Sequence, residues 1–172
     1  MKRHVLLIGL PGAGKTAVGR RVAKRLQAPF VDIDEMIARE QGRSVSELFT
    51  ERGEPAFRAL ESEAVLRAVA GAPQVVSPGG GWAAQPGSLE GIRGRGVTIW
   101  LEVDPAVAVV RATRSHARPL LEGADPLERM RSLIESRRDR YSTADATVDT
   151  TDLTADQAAE KVTELARSLA EW

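Results

Sequence analysis

The residues Gly9 to Thr16 carry the clearest chemical signal in this chain. They read Gly-Leu-Pro-Gly-Ala-Gly-Lys-Thr and fit the pattern G-x-x-x-x-G-K-[ST]. In this pattern backbone N–H groups surround nucleotide phosphates, the lysine reaches the β- and γ-phosphates, and the hydroxyl binds Mg²⁺. An apolar run at 5–8 precedes the loop, and Val18, Val22 and Leu26 follow it at helical spacing. Strand, loop and helix in this order predict a phosphate site at a helix N-terminus; a glycine-rich turn that binds nothing is the alternative.

Two carboxylates stand at the end of the second predicted strand, residues 30–33. Asp32 and Asp34 are two positions apart, so both side chains face the same way while the backbone stays extended. We expect Asp32 to share Mg²⁺ with the hydroxyl of Thr16, because P-loop sites pair that hydroxyl with a carboxylate. Asp34 is then available for the hydroxyl of a substrate. The alternative for each residue is that it only caps the helix that follows.

Arg58 is predicted early in a helix, where the macrodipole disfavours a cation. We therefore expect its guanidinium to face an anion elsewhere; a surface pair with Glu54 or Glu61 is the alternative. Three glycines, Gly79 to Gly81, directly follow a predicted strand. They would let a ligand touch the backbone without side chains in the way, and a plain flexible turn is the alternative.

Cations also cluster between two later helices, in residues 114–118. An arginine such as Arg118, on a loop over a phosphate site, can neutralise charge in a transition state. We expect residues 115–124 to close when nucleotide binds, whereas a solvated surface loop is the alternative. Arg137 lies four residues before Tyr141 on the following helix, and it either serves the site or is a surface cation.

These residues need a frame of alternating strands and helices. Short apolar runs predict strands at 5–8, 30–33, 74–77, 97–103 and 147–149. Capping boxes at Ser44 and Thr154 and Asp-Pro pairs at 104 and 125 mark helix starts, whereas residues 82–96 predict at most one short helix. The alternation predicts an α/β fold with a parallel sheet between helices. Ligands of such sheets bind beyond the C-terminal ends of the strands, where the candidate residues fall.

The bulk composition limits the class of protein. At 172 residues, with 42% hydrophobic and 28% charged residues, the chain predicts one domain, 1–172. The formal net charge is zero, so we expect neither nucleic acid nor a membrane as partner. The absence of cysteine excludes disulfides and thiolate chemistry. No apolar stretch is long enough to span a membrane, and the basic start at Lys2 to His4 leads into the phosphate loop, so we expect a cytoplasmic protein. We also expect a monomer.

The full set resembles the shikimate kinases, small P-loop kinases related to the nucleoside monophosphate kinases. The residues that carry this resemblance are the P-loop, Asp32-Ile33-Asp34, Phe57-Arg58 with Glu61, Gly79 to Gly81, Arg118-Pro119-Leu120-Leu121, and Arg137 with Tyr141. The resemblance implies a three-layer P-loop NTPase fold with a five-stranded parallel sheet, a substrate-binding region at about 32–61 and a lid at about 112–124. It also implies transfer of the ATP γ-phosphate to the 3-hydroxyl of shikimate, giving 3-phosphoshikimate and ADP on the pathway to chorismate and aromatic amino acids.

The same resemblance assigns roles to individual residues. The catalytic residues would be Lys15, Asp34 and Arg118. The ATP site would comprise Gly12, Ala13, Gly14, Lys15, Thr16, Ala17, Arg111 and Arg118. Shikimate would be held by Asp34, Arg58, Gly79, Gly80, Gly81 and Arg137, beside Phe49 and Phe57, and the Mg²⁺ cofactor by Thr16 and Asp32.

Some positions depart from the family pattern. Pro78 replaces a usual threonine, Trp82 a smaller residue, and Asp139 a usual proline. Residues 151–153 lack the Asn or Arg that often lies on adenine, which would shift that contact to Arg111 and the backbone. Two other functions stay open: a related kinase for another small hydroxylated acceptor such as gluconate, and a nucleotide-binding regulatory module.

Overall fold

Five parallel strands form one sheet in the order β2-β3-β1-β4-β5. The computed structural model describes residues 1–114 and 125–172. The strands are β1 (His4–Ile8), β2 (Phe30–Asp32), β3 (Val75–Ser77), β4 (Gly96–Glu102) and β5 (Ala146–Asp149). The central strand β1 is buried along its whole length, as expected when helices cover both faces of a parallel sheet. The predicted α/β fold is therefore confirmed.

Seven α-helices surround the sheet within the described ranges. They are α1 (Lys15–Leu26), α2 (Ile33–Gln41), α3 (Val45–Ala68), α4 (Ser88–Gly91), α5 (Pro105–Arg114), α6 (Pro126–Tyr141) and α7 (Ala155–Leu169). Helix α3 bends at Gly53, whose φ of 79° and ψ of 168° are not helical. No described helix is long and apolar enough to cross a membrane.

The predicted helix starts are confirmed by their caps. The Ser44 and Thr154 side chains each accept a hydrogen bond from the backbone three residues on, and Glu47 and Gln157 complete the two capping boxes. The carboxylate of Asp104 accepts from the Ala106 N–H, at 2.8 Å, at the start of α5. Such caps contribute about 1 kcal/mol each, so short local patterns fix where these helices begin.

Two predictions about local structure are wrong. Strand β2 ends at Asp32 and α2 begins at Ile33, so the chain is not extended between Asp32 and Asp34. The reason is the cap itself, because Asp32 accepts a hydrogen bond from the Glu35 N–H at 3.2 Å. Residues 82–96 contain two short helical elements rather than at most one: a 3₁₀ turn at Trp82–Ala84 and α4. Tertiary packing explains the turn, because Trp82 is only 2% exposed.

Candidate active site

One cavity of about 910 Å³ lies beyond the C-terminal ends of β1, β2 and β3. Its wall includes both phosphate-loop and acceptor-side residues: Gly12, Ala13, Gly14, Thr16, Ala17, Asp32, Asp34, Phe49, Phe57, Arg58, Gly79, Gly80, Gly81 and Arg111. The candidate residues that the sequence separates by up to a hundred positions thus share one site. Lys15 and Arg137 are not on this wall and are described below.

The conformation of the phosphate loop requires glycine, because other residues would be strained or would clash there. Gly12 has φ of +80°, and a Cβ there would lie 2.2 Å from the carbonyl oxygen of Ala108. Gly14 is the N-cap of α1, so the free N–H groups of the first helical turn face the cavity end of the loop. The Lys15 Nζ donates to the carbonyl oxygens of Gly9 and Leu10, at 2.9 Å each. The loop therefore holds its own lysine in place beside the anion site.

Thr16 and Asp32 meet at the start of α1. The Thr16 hydroxyl donates to the Asp32 carboxylate at 2.6 Å, while the other carboxylate oxygen caps α2 through the Glu35 N–H. Capping and pairing with Thr16, which the sequence presented as alternatives, therefore coexist in one side chain. A hydroxyl and a carboxylate side by side are hard oxygen donors, which suit Mg²⁺. Among the described residues no three acidic, histidine or cysteine side chains form a metal cluster.

Arg58 lies at the opposite end of the cavity, in the second segment of α3. It is 7% exposed and donates to Glu61 at 2.7 Å and to Glu54 at 3.2 Å. The alternative of a surface pair is therefore wrong, because Glu61 is completely buried. Within the part of the chain that the structure describes, the Arg58 Nε has no hydrogen-bond acceptor. A buried N–H without an acceptor costs free energy, and other atoms of Arg58 line the cavity, where a bound anion would interact with its charge.

The charges around Arg58 are strongly coupled. Burial raises the pKa of Glu61, the charge of Asp34 adds to this, and the guanidinium of Arg58 opposes it. Burial would lower the pKa of Arg58, but Glu61 and Glu54 together raise it, so the guanidinium stays charged. The sequence offered one sign of this arrangement, the three-residue spacing of Arg58 and Glu61, but it gave no sign of their burial.

The glycine run forms a turn, in which the Trp82 N–H donates to the carbonyl oxygen of Gly79 at 3.2 Å, and it also makes room for its neighbours. A Cβ at Gly79 would lie 2.0 Å from Oε1 of Glu61, and one at Gly81 would lie 2.3 Å from Nη2 of Arg58. A Cβ at Gly80 would lie 3.1 Å from Cδ of Pro11 in the phosphate loop. None of the three glycines has positive φ, so the requirement for glycine here is spatial. The sequence did not indicate the contact with Pro11.

Arg137 lies behind the glycine run instead of on the cavity wall. It is 7% exposed, and its Nη1 donates to the carbonyl oxygen of Gly80 at 3.0 Å. The hydroxyl of Tyr141, one helical turn further along α6, donates to the same oxygen. The interpretation of Arg137 as a surface cation is therefore wrong.

The aromatic pair and Arg111 complete the cavity. The rings of Phe49 and Phe57 are 4.6 Å apart between centroids, and both line the cavity near Arg58. At the other end, Arg111 donates to the carbonyl oxygens of Thr150 at 2.8 Å and of Leu153 at 3.3 Å. Arg111 thus shapes the 150–153 loop, and its contact with adenine stays a prediction. Arg118, with the rest of the predicted lid from 115 to 124, lies outside the described residues, and its role stays a prediction.

Known proteins are similar to this chain in both sequence and fold. Residues 11–167 match the family model described as shikimate kinase. A shikimate kinase of Symbiobacterium thermophilum is 45% identical over 143 residues, which cover 82% of each chain. One of Caldanaerobacter subterraneus is 38% identical over 160 residues, covering 93% of this chain and 94% of that one. A solved shikimate kinase from Acinetobacter baumannii, in complex with shikimate, has a TM-score of 0.92 at 31% identity and covers 98% of this chain and 94% of its own.

Proposed function

The chain belongs to the shikimate kinase family, and from that premise we propose how its residues divide the work of the reaction. The enzyme transfers the γ-phosphate of ATP to shikimate, giving 3-phosphoshikimate and ADP, on the pathway to chorismate and aromatic amino acids. The observation that carries the proposal is the shared cavity, in which the phosphate loop and the Arg58 end face one space. The comparisons favour shikimate over a gluconate-like acceptor or a regulatory role.

We propose that ATP binds at the phosphate-loop end. The N–H groups around Gly12 to Ala17 would surround its phosphates, and Lys15 would exchange its carbonyl partners for phosphate oxygens. Thr16 and Asp32 would hold Mg²⁺, which their adjacent oxygens fit. When bound, Mg²⁺ neutralises part of the charge on the transferred phosphoryl group. Arg111 would define the adenine end through the 150–153 loop.

We propose that shikimate binds between Asp34 and Arg58. The carboxylate of Asp34 would accept the hydrogen of the 3-hydroxyl and so orient it toward the γ-phosphate, since phosphoryl transfer depends on positioning more than on covalent catalysis. The guanidinium of Arg58, which lines the cavity and stays charged, would bind the carboxylate of shikimate, with Arg137 as a second cation. Backbone groups of Gly79 to Gly81 would contact the ring where no side chain intervenes.

The test compares two arginines of the same helix. Arg58→Lys keeps the charge beside Glu61 but removes the forked N–H groups, so we expect the KM for shikimate to rise at least about tenfold with little change in the KM for ATP. Arg67→Ala is the matched control, because Arg67 pairs with Glu40 on the surface and is 50% exposed. ADP production is followed by a coupled assay with shikimate, gluconate and nucleoside monophosphates as acceptors. Equal effects of Arg58→Lys on both substrates would refute the acceptor assignment.

We also propose that the chain works as one kinase domain and as a monomer in the cytoplasm. The support is that a single chain supplies both ends of the cavity, so the proposed chemistry needs no second copy. The reaction also consumes ATP, which is a cytoplasmic metabolite. Light scattering across a tenfold range of protein concentration, with activity measured in parallel, would test the monomer: specific activity that rises with mass would contradict it.

A further inference from the structure

The carbonyl group of Gly80 receives two hydrogen bonds from α6. Arg137 donates through Nη1 at 3.0 Å, and Tyr141 donates through its hydroxyl. Both donors lie on one face of the helix, four residues apart, and Tyr141 is completely buried. Among residues 1–114 and 125–172, these two side chains are the donors to the Gly80 carbonyl.

The position of Gly80 leaves its carbonyl little freedom to find another partner. Pro11 of the phosphate loop packs on the far side of Gly80, where even a Cβ would lie 3.1 Å from Cδ of the proline. The Tyr141 ring is itself fixed by Trp100, with the two ring centroids 5.7 Å apart. Burial also raises the pKa of Tyr141, so the hydroxyl keeps its proton and remains a donor.

Two tasks compete for Arg137 if the proposed function is correct, and the inference rests on that function. In the structure Arg137 serves Gly80 and is not on the cavity wall. Arg137 donates to Gly80 through Nη1 alone, and we take it that turning the guanidinium toward the cavity, so that its forked N–H groups bind the shikimate carboxylate, weakens or breaks this bond. A buried carbonyl that loses every donor costs free energy, and this cost would weaken the binding of shikimate.

We propose that Tyr141 is a positioning residue for shikimate, because it keeps the Gly80 carbonyl hydrogen-bonded while Arg137 turns to the substrate carboxylate. Tyr141 does not touch the substrate in this scheme. It acts through Arg137 by removing the penalty for that movement. The four-residue spacing of Arg137 and Tyr141, noted in the sequence, is then the spacing that lets two side chains share one acceptor.

The first test removes only the hydroxyl. Tyr141→Phe keeps the ring against Trp100, and we expect the KM for shikimate to rise about tenfold while the KM for ATP stays within about twofold. The matched control is Thr163→Val, which removes another buried hydroxyl, one that donates to Ala159 at 2.6 Å within α7. If Tyr141→Phe changes the shikimate KM no more than Thr163→Val does, the proposal is wrong.

A second comparison separates this inference from the proposed function. If Arg137→Ala leaves the shikimate KM unchanged, the assigned role of Arg137 fails, and the inference fails with it. If Arg137→Ala raises the KM but Tyr141→Phe does not, only the inference fails. In the Arg137→Ala background, Tyr141→Phe should lower the melting temperature without raising the shikimate KM further. A further rise there would show that Tyr141 acts by another route and would overturn the proposal.

The chain offers a readout that does not depend on activity, because Tyr141 is its single tyrosine. Labelling with 3-fluorotyrosine places one fluorine next to the hydroxyl in question. We expect the fluorine resonance to move when saturating shikimate is added and to stay in place in the Arg137→Ala variant. A resonance that responds equally in both proteins would contradict the scheme, and the measurement applies even if Tyr141→Phe folds poorly.

Discussion

Alanine at Gly81 would test whether the glycine run makes room for Arg58. The backbone there has φ of −94° and ψ of −10°, which alanine adopts without strain. The added Cβ would nevertheless lie 2.3 Å from Nη2 and 2.4 Å from Cζ of Arg58. The guanidinium would have to move by roughly 1 Å to reach an ordinary contact distance. Glu61 and Glu54 resist that movement, because both hold the group at hydrogen-bond distance.

The expected effect follows from this displacement. A misplacement of about 1 Å in a group that orients a reactant costs about 100-fold in rate. We therefore expect kcat/KM for shikimate to fall about 100-fold in Gly81→Ala, or about 2.7 kcal/mol of transition-state stabilisation. The KM for ATP should stay within about twofold, because Gly81 and Arg58 lie at the acceptor end. Initial rates with each substrate varied at saturating partner give both constants.

Two comparisons make the result decisive. Gly71→Ala is the matched control, because Gly71 has no atom within 4 Å of its added Cβ. In an Arg58→Ala background the clash is absent, so adding Gly81→Ala should have almost no further effect on shikimate kinetics. If Gly81→Ala alone keeps kcat/KM for shikimate within about threefold of the parent enzyme, the proposal that Arg58 requires glycine at this position is refuted.

Two further predictions concern the metal and pH. Asparagine caps a helix about as well as aspartate, so Asp32→Asn should keep the melting temperature while raising the Mg²⁺ concentration for half-maximal rate about tenfold; an unchanged Mg²⁺ requirement would contradict the assignment. His4 is buried and accepts the Gln74 N–H at 3.3 Å, and burial lowers its pKa below 6.5. The unfolded chain therefore binds more protons just below pH 6.5, so denaturant melts should show stability falling as pH drops through 6.5, less steeply in His4→Gln.

The sequence predicted correctly the elements that depend on interactions between residues close together in the chain. The phosphate loop and the capping boxes at Ser44 and Thr154 depend on residues within a few positions of one another, and the structure has them where the sequence placed them. The sheet follows because short apolar runs alternating with helices have few other solutions. Asp32 shows the limit of such reasoning: capping and a place beside Thr16 looked exclusive on the sequence, but its two carboxylate oxygens do both, while the Mg²⁺ role stays a prediction.

The partners and burial of several site residues depend on packing between distant parts of the chain, which the sequence did not predict. The sequence predicted an anion for Arg58 and left a surface pair with Glu54 or Glu61 as the alternative. In the structure Arg58 pairs with both glutamates, and Arg58 and Glu61 are buried next to the glycine run. The sequence left two possibilities for Arg137, a role in the site or a surface cation, and in the structure it donates to a backbone carbonyl from another segment. A backbone acceptor has no signature in the side-chain pattern, so neither this bond nor that of Tyr141 was predictable.

The strand order explains why the glycine run lies at the centre of the site. Strand β3 lies between β1 and β2, so the loop after it separates the phosphate loop from the Asp32 and Asp34 segment. Adjacent strands are about 4.8 Å apart, which sets the two loops roughly 10 Å from each other. A phosphate bound at one and a hydroxyl bound at the other can meet only if little fills the gap. Gly79 to Gly81 fill it with backbone alone, and each contacts a different wall: Glu61, Pro11 and Arg58. The order of three strands thus sets the proposed donor and acceptor sites on either side of a segment that carries no side chains, and a side chain at any of these positions would displace the wall it meets.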